Sequence, residues 1–161
     1  MKTFKAYFPL IIVALLALAM SLASNLYQFF LDNIIMSLMG FFFCLLAMFK
    51  LFDLHGFADG FQMYDIIAKQ VRFYAYAYPF VELSLGLSYL AKTAPVITNL
   101  VTLLLMSISA VGVIKSVRAG MNISCACLGT VLKVPLSTVS IVENIAMGLM
   151  AGLNLIFLLA V

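Results

Sequence analysis

Residues 33–49 read NIIMSLMGFFFCLLAMF, a run with no charge anywhere in it. A run of that length is close to what is needed to cross a hydrocarbon core of roughly 30 Å. Whether it lies in lipid or inside a soluble core depends on what the rest of the chain has to offer as a wetted surface. It has little. Over 161 residues, 66 % are hydrophobic and 9 % are charged, with a mean hydropathy of +1.20. A soluble domain carries about 25 % charged residues, so a soluble reading is excluded.

Working outward from that stretch, 6–31, 93–114 and 144–161 are also uncharged. A further span, about 73–91, is interrupted only by Glu82, and the last run extends back past Glu143 to about Val139. These runs predict an all-α, polytopic membrane helix bundle with five transmembrane helices, near 6–28, 33–52, 73–91, 96–116 and 139–160, in a single domain over 1–161. Helices are the default in lipid because each backbone N–H and C=O is then paired within its own segment. The alternation of a membrane β-barrel is absent. Lys2 and Lys5 ahead of an apolar run resemble a signal peptide, but that run exceeds the usual 7–15 residues. A retained anchor is expected.

Lys and Arg collect on the cytoplasmic side of membrane proteins. With the N-terminus inside, Lys2, Lys5, Lys50, Lys69, Arg72, Lys115, Arg118 and Lys133 all fall inside, and only Lys92 outside. The net charge of +3 thus reads as topology in a lipid bilayer, with no case for nucleic acid. The loop of about 117–138 is expected at the cytoplasmic face of an inner membrane.

Inside the spans the polar residues stand out, since a buried charge there costs several kcal/mol unless paired, protonated or hydrated. Glu82 lies mid-span, one helical turn from Tyr78, with Pro79 between them. It serves either as helix glue, hydrogen-bonded to a tyrosine, or in function. Glu143 and Asn144 begin the last helix, where the dipole favours a carboxylate. Met147, Met150 and Asn154 continue their face. Gly148 and Gly152 form a small-xxx-small pair that would let a neighbouring helix approach. In the loop 53–72, Phe57, Phe61, Tyr64 and Ala68 recur at helical spacing and predict a short amphipathic helix lying on the membrane. Asp53, His55 and Asp59 in that loop match no standard metal site and read as a solvated turn.

Three cysteines are present. Cys44 sits among phenylalanines and reads as packing. Cys125 and Cys127 are separated by one residue, which in an extended segment turns both sulfurs to one side. A disulfide across that gap is strained and easily reduced. The same two thiolates suit a soft ion such as Cu(I) or Hg(II).

The order Lys50-Leu51-Phe52-Asp53, then Tyr78-Pro79 with Glu82, then Cys125-Ala126-Cys127-Leu128-Gly129 ahead of a last helix resembles the MauE branch of the MauE/DoxX membrane proteins. The resemblance covers roughly 33–160, and Leu128 stands where that family usually has Phe. It implies a four-helix core associated with thiol redox and named for methylamine utilisation, in which the protein is needed to mature a disulfide-rich subunit. The first helix is then an addition, which reverses the expected side of the CxC loop to the cytoplasm. Two functions follow: thiol–disulfide redox at Cys125 and Cys127 with a partner protein, or receipt of Cu(I) or Hg(II) from a metal-carrier protein.

Overall fold

The computed structural model describes residues 2–27, 31–120 and 136–160. They form six helices, α1 (Lys2–Ser24), α2 (Leu31–Phe52), α3 (Leu54–Gln62), α4 (Arg72–Ala91), α5 (Pro95–Arg118) and α6 (Leu136–Ala160), with no strand among the described residues. Five of the six lie on the five expected spans. Three are both long and apolar enough to cross a membrane: Asn33–Phe52, Pro95–Arg118 and Ser140–Leu159. In α1 the apolar part is the shorter Leu10–Ser24. Four tyrosines, two serines, Arg72 and Glu82 make α4 the less apolar helix.

The boundaries follow local chemistry. Asp53 caps α3, its side chain accepting from the Gly56 N–H, which satisfies one of the orphan donors of a first turn. Lys92 and Ala94 both take left-handed backbone, at φ 53° and 43°, so the chain reverses within three residues. Pro95 then starts α5 with its ring in place of a donor that would be orphaned anyway. Helix α4 runs on through Pro79, where the ring leaves the Ala75 carbonyl without its usual donor.

The partition of side chains is inverted relative to a soluble protein. Leu15, Leu16, Ile97, Leu104, Leu149 and Ile156 face outward. Ser21, Asn25, Lys50, Glu82, Asn99, Thr102, Ser109, Glu143, Asn144 and Asn154 are buried. An apolar rim around a polar interior is stable only where the surrounding solvent is hydrocarbon.

Helices α2 and α4 pack antiparallel, and they touch through glycine. A Cβ placed on Gly86 would lie 2.7 Å from Cys44 Sγ and 3.0 Å from the Gly40 carbonyl oxygen. One on Gly40 would lie 2.7 Å from Leu90 Cγ and 3.0 Å from the Gly86 carbonyl oxygen. The close backbone approach is therefore at Gly40 and Gly86. Gly148 and Gly152 lie on the antiparallel α5–α6 contact, but a Cβ on either would meet its nearest neighbour at an ordinary 4.0 Å. At the far end of the bundle Lys92 donates to Asn33 Oδ1 at 2.6 Å, and the Tyr89 hydroxyl donates to Asn99 Oδ1 and accepts from the Thr102 hydroxyl.

Helix α3 does form in the 53–72 loop. Its apolar face turns into the protein, however, with Phe57, Ala58 and Phe61 buried and Tyr64 and Ala68 continuing the buried face. The polar interior beneath it needs a lid, and the aromatic rings supply one.

Candidate functional site

Lys50 lies in the last turn of α2. From its place in the chain it belongs with the wetted interfacial cations, yet it is only 3 % exposed. The antiparallel register with α4 carries its ammonium to Glu82, itself 1 % exposed. Nζ donates to both carboxylate oxygens, at 2.7 and 2.6 Å. A buried ammonium and a buried carboxylate each cost several kcal/mol alone; joined, each supplies the counter-charge the other lacks. The partner of Glu82 is therefore Lys50. Tyr78 contributes its ring face, with Lys50 Nζ 5.1 Å from its centroid, and Phe57 lies on Nζ at 5.6 Å. Cation–π contacts of this kind are worth about 2 kcal/mol where water is excluded.

The cage closes from α3. Phe57 stacks on both Phe61 and Tyr78, and the Phe61 and Tyr78 rings meet at a tilt with centroids 4.6 Å apart. Below α3 the chain turns at Asp65, whose Oδ1 accepts from the Ile67 and Ala68 N–H groups at 2.9 Å each. Burial pushes the Asp65 carboxyl above its ordinary range, and those two N–H donors oppose the shift. Gly112 of α5 leaves the room for this turn, since a Cβ there would lie 2.8 Å from the Tyr64 carbonyl oxygen.

Helix α6 brings Glu143 and Asn144 to the same place. Asn144 Nδ2 donates to Ser109 Oγ of α5 at 3.1 Å. Glu143 is 8 % exposed, and its Oε2 is buried without a hydrogen-bond partner among the described residues. It feels the charges of both Lys50 and Glu82. Lys50, Tyr64, Tyr78, Ser109, Ser140, Glu143 and Asn144, with Phe57 and Phe61, enclose a cavity of about 10 Å³. On its other side Glu143 borders an apolar groove of about 360 Å³ between α1, α2 and α6, lined by Leu10, Leu18, Phe42 and Met150 among others.

The structure thus brings Tyr78, Glu82, Glu143 and Asn144 to one site and adds Ser109 and Ser140, which the sequence had not marked, with Lys50 and Tyr64, which it had marked only as an interfacial cation in a family-like stretch and as part of an amphipathic face. Charge balance was the available signal, because a carboxylate deep in a span requires a cation within reach. Cys125 and Cys127 lie outside the described residues. Cys44 is half-buried against Gly86. Asp59 forms an exposed ion pair with Arg72 at 2.9 Å, His55 packs edge-on against Tyr76, and Asp53 caps α3, so each residue of that trio has its own partner. No group of three or more metal-ligating side chains occurs among the described residues.

Residues 5–158 match the family described as methylamine utilisation protein MauE. The chain belongs to the MauE family. No curated protein and no solved structure matches it. The match begins within α1 and ends within α6, so the first helix lies inside the extent of MauE and is not an addition ahead of it. The site joins the two short MauE-like signatures seen in the sequence: Lys50 from the Lys50–Asp53 stretch holds Glu82 from the Tyr78–Glu82 stretch.

Proposed function

We propose that this MauE-family protein is a five-span inner-membrane protein that carries out thiol–disulfide redox chemistry through Cys125 and Cys127 in the maturation of a partner protein. Five crossings are supported by length. Helices α1 and α4 have 23 and 20 residues, which at 1.5 Å per residue reach about 30 Å or more. Both run antiparallel to α2, which has the length and apolarity of a span.

The observation that carries the redox reading is one of position. The end of α5 and the start of α6, which bracket the thiol segment, lie at the same end of the bundle as Lys50, α3 and Arg72. Lys115 and Arg118 in the last turn of α5 make this the basic end, and the positive-inside rule assigns it to the cytoplasm. Thiols there are held reduced, and neighbouring cations favour the thiolate. The pair acts as a reductant. One thiolate attacks a disulfide of the partner, forming a mixed disulfide and releasing one partner thiol. The second thiolate then closes the Cys125–Cys127 bond and releases the other. Two electrons pass to the partner, and the CxC dithiol becomes a disulfide.

Capture of the mixed disulfide tests this. With either Cys125→Ser or Cys127→Ser, one remaining thiol should trap the partner as an adduct that a reductant cleaves. The double variant should trap nothing, and all three should lose activity equally. Half-activity in each single variant, or dependence on Cys44, contradicts the reading. Stoichiometric binding of Cu(I) or Hg(II) that requires both thiols, with no trapped partner, would turn it to metal handling.

A further inference from the structure

We propose that Glu143 is an exchangeable proton site within the membrane, with the Lys50–Glu82 pair as its fixed electrostatic partner. The proposal stands apart from the thiol chemistry and rests on three observations at the site.

The first is charge count. Among the described residues, one ammonium faces two carboxyl groups, Glu82 and Glu143, inside the bundle. With both ionised, the cluster carries one uncompensated negative charge in a low-dielectric interior, which costs several kcal/mol. One bound proton removes it. The second is the division of labour between the two acids. Glu82 is clamped, with both oxygens accepting from Lys50 Nζ, and stays ionised as the counter-charge. Glu143 has an oxygen, Oε2, with no partner and almost no solvent contact. It is the carboxyl left to hold the proton.

The third is size. The cavity that Glu143 shares with Lys50, of about 10 Å³, has room for one water molecule at most, so no organic molecule fits between the two groups, and the larger groove on the other side of Glu143 is lined by apolar side chains. A bare alkali cation would meet the Lys50 ammonium in the same wall. What remains is a proton, passed through a water between Glu143 and the hydroxyl and amide groups of Tyr64, Ser109, Ser140 and Asn144. The groups facing Glu143 are Lys50 from α2, Tyr64 from the turn after α3, Tyr78 and Glu82 from α4, Ser109 from α5, and Ser140 and Asn144 on its own helix. On the α1 side, the described residues that approach are those of the apolar groove.

Infrared difference spectroscopy of the full-length protein in liposomes, titrated with pH, reads this directly. In an Asp65→Asn background, which removes the other buried carboxyl with a raised range, the protein should show one carbonyl band of a protonated carboxylic acid that vanishes on alkalinisation and shifts in D₂O. Glu143→Gln should lack the band, and Glu143→Asp should keep it at a shifted position. The C125S/C127S variant should keep it unchanged, so loss of the thiol reading would leave this result standing. Lys50→Met should add a second protonated acid, because Glu82 loses its cation. A band that persists in Glu143→Gln, no titrating acid in the folded Asp65→Asn protein, or a titration that moves with Na⁺ concentration would overturn the proposal. Size-exclusion profiles of each variant guard against misfolding, and Glu143→Asp supplies the conservative control.

Discussion

At the scale of single residues, Lys50 carries the most information, and its role was the least readable from the chain. Its position just inside a span end fits both a wetted cation and a buried one, and the choice depends on a helix 32 residues away. Glu82, by contrast, was legible as buried, because a lone carboxylate at that depth cannot face lipid. The pair makes a sharp prediction. Lys50→Met alone should destabilise the bundle by about 3–5 kcal/mol, by leaving Glu82 uncompensated, whereas Lys50→Met with Glu82→Leu should recover most of that loss. Detergent unfolding of the two variants checks it, and equal destabilisation of both would mean that the two groups are not coupled. Asp65 gives a pH prediction of defined sign. Its carboxyl lies above its ordinary range in the fold, so the folded state holds the proton more tightly than the unfolded state does. Its contribution to stability is then greatest at low pH and falls as pH rises from the ordinary carboxylate range through the raised one. Asp65→Asn keeps an oxygen for the Ile67 and Ala68 donors and should flatten that part of the stability–pH curve.

At the scale of elements, the spans were readable because absence of charge over a bilayer's thickness is a property of each segment alone. Which face of a segment meets which neighbour is not. Phe57 and Phe61 marked a short helix correctly, while Tyr64 and Ala68 fall in the turns after it; spacing alone does not say whether the apolar face meets lipid or a neighbouring helix. The buried polar cluster beneath decides it, and the face turns inward. The glycines repeat the lesson. Gly148 and Gly152 carry the familiar spacing yet leave ordinary room, while Gly40 and Gly86, on different helices, bring two backbones together. Gly86→Ala should therefore cost about 1–3 kcal/mol, because its new methyl meets backbone atoms that cannot swing away. Gly148→Ala should stay within about 0.5 kcal/mol of wild type. The same unfolding assay ranks them, and the reverse order would relocate the close contact to the α5–α6 seam.

At the scale of the whole molecule, the inverted partition of side chains, the antiparallel helices and the MauE match over 5–158 describe a membrane bundle with one polar interior. Lys50, Lys69, Arg72, Lys115 and Arg118 belong to one end of it, and Lys92 to the other. The thiol segment lies between α5 and α6 in the chain, outside the described residues. Its motif was legible because two cysteines one residue apart are conspicuous in a chain with three. Spacing alone does not fix where two sulfurs point. Reaction of Cys125 and Cys127 with a membrane-impermeant maleimide, in a Cys44→Ser background, tests side and reactivity together. The expected result is no labelling in intact cells and two labels per chain after lysis. Labelling in intact cells would put the thiols on the outer face, and failure to label after lysis and reduction would make them packing residues without a redox role.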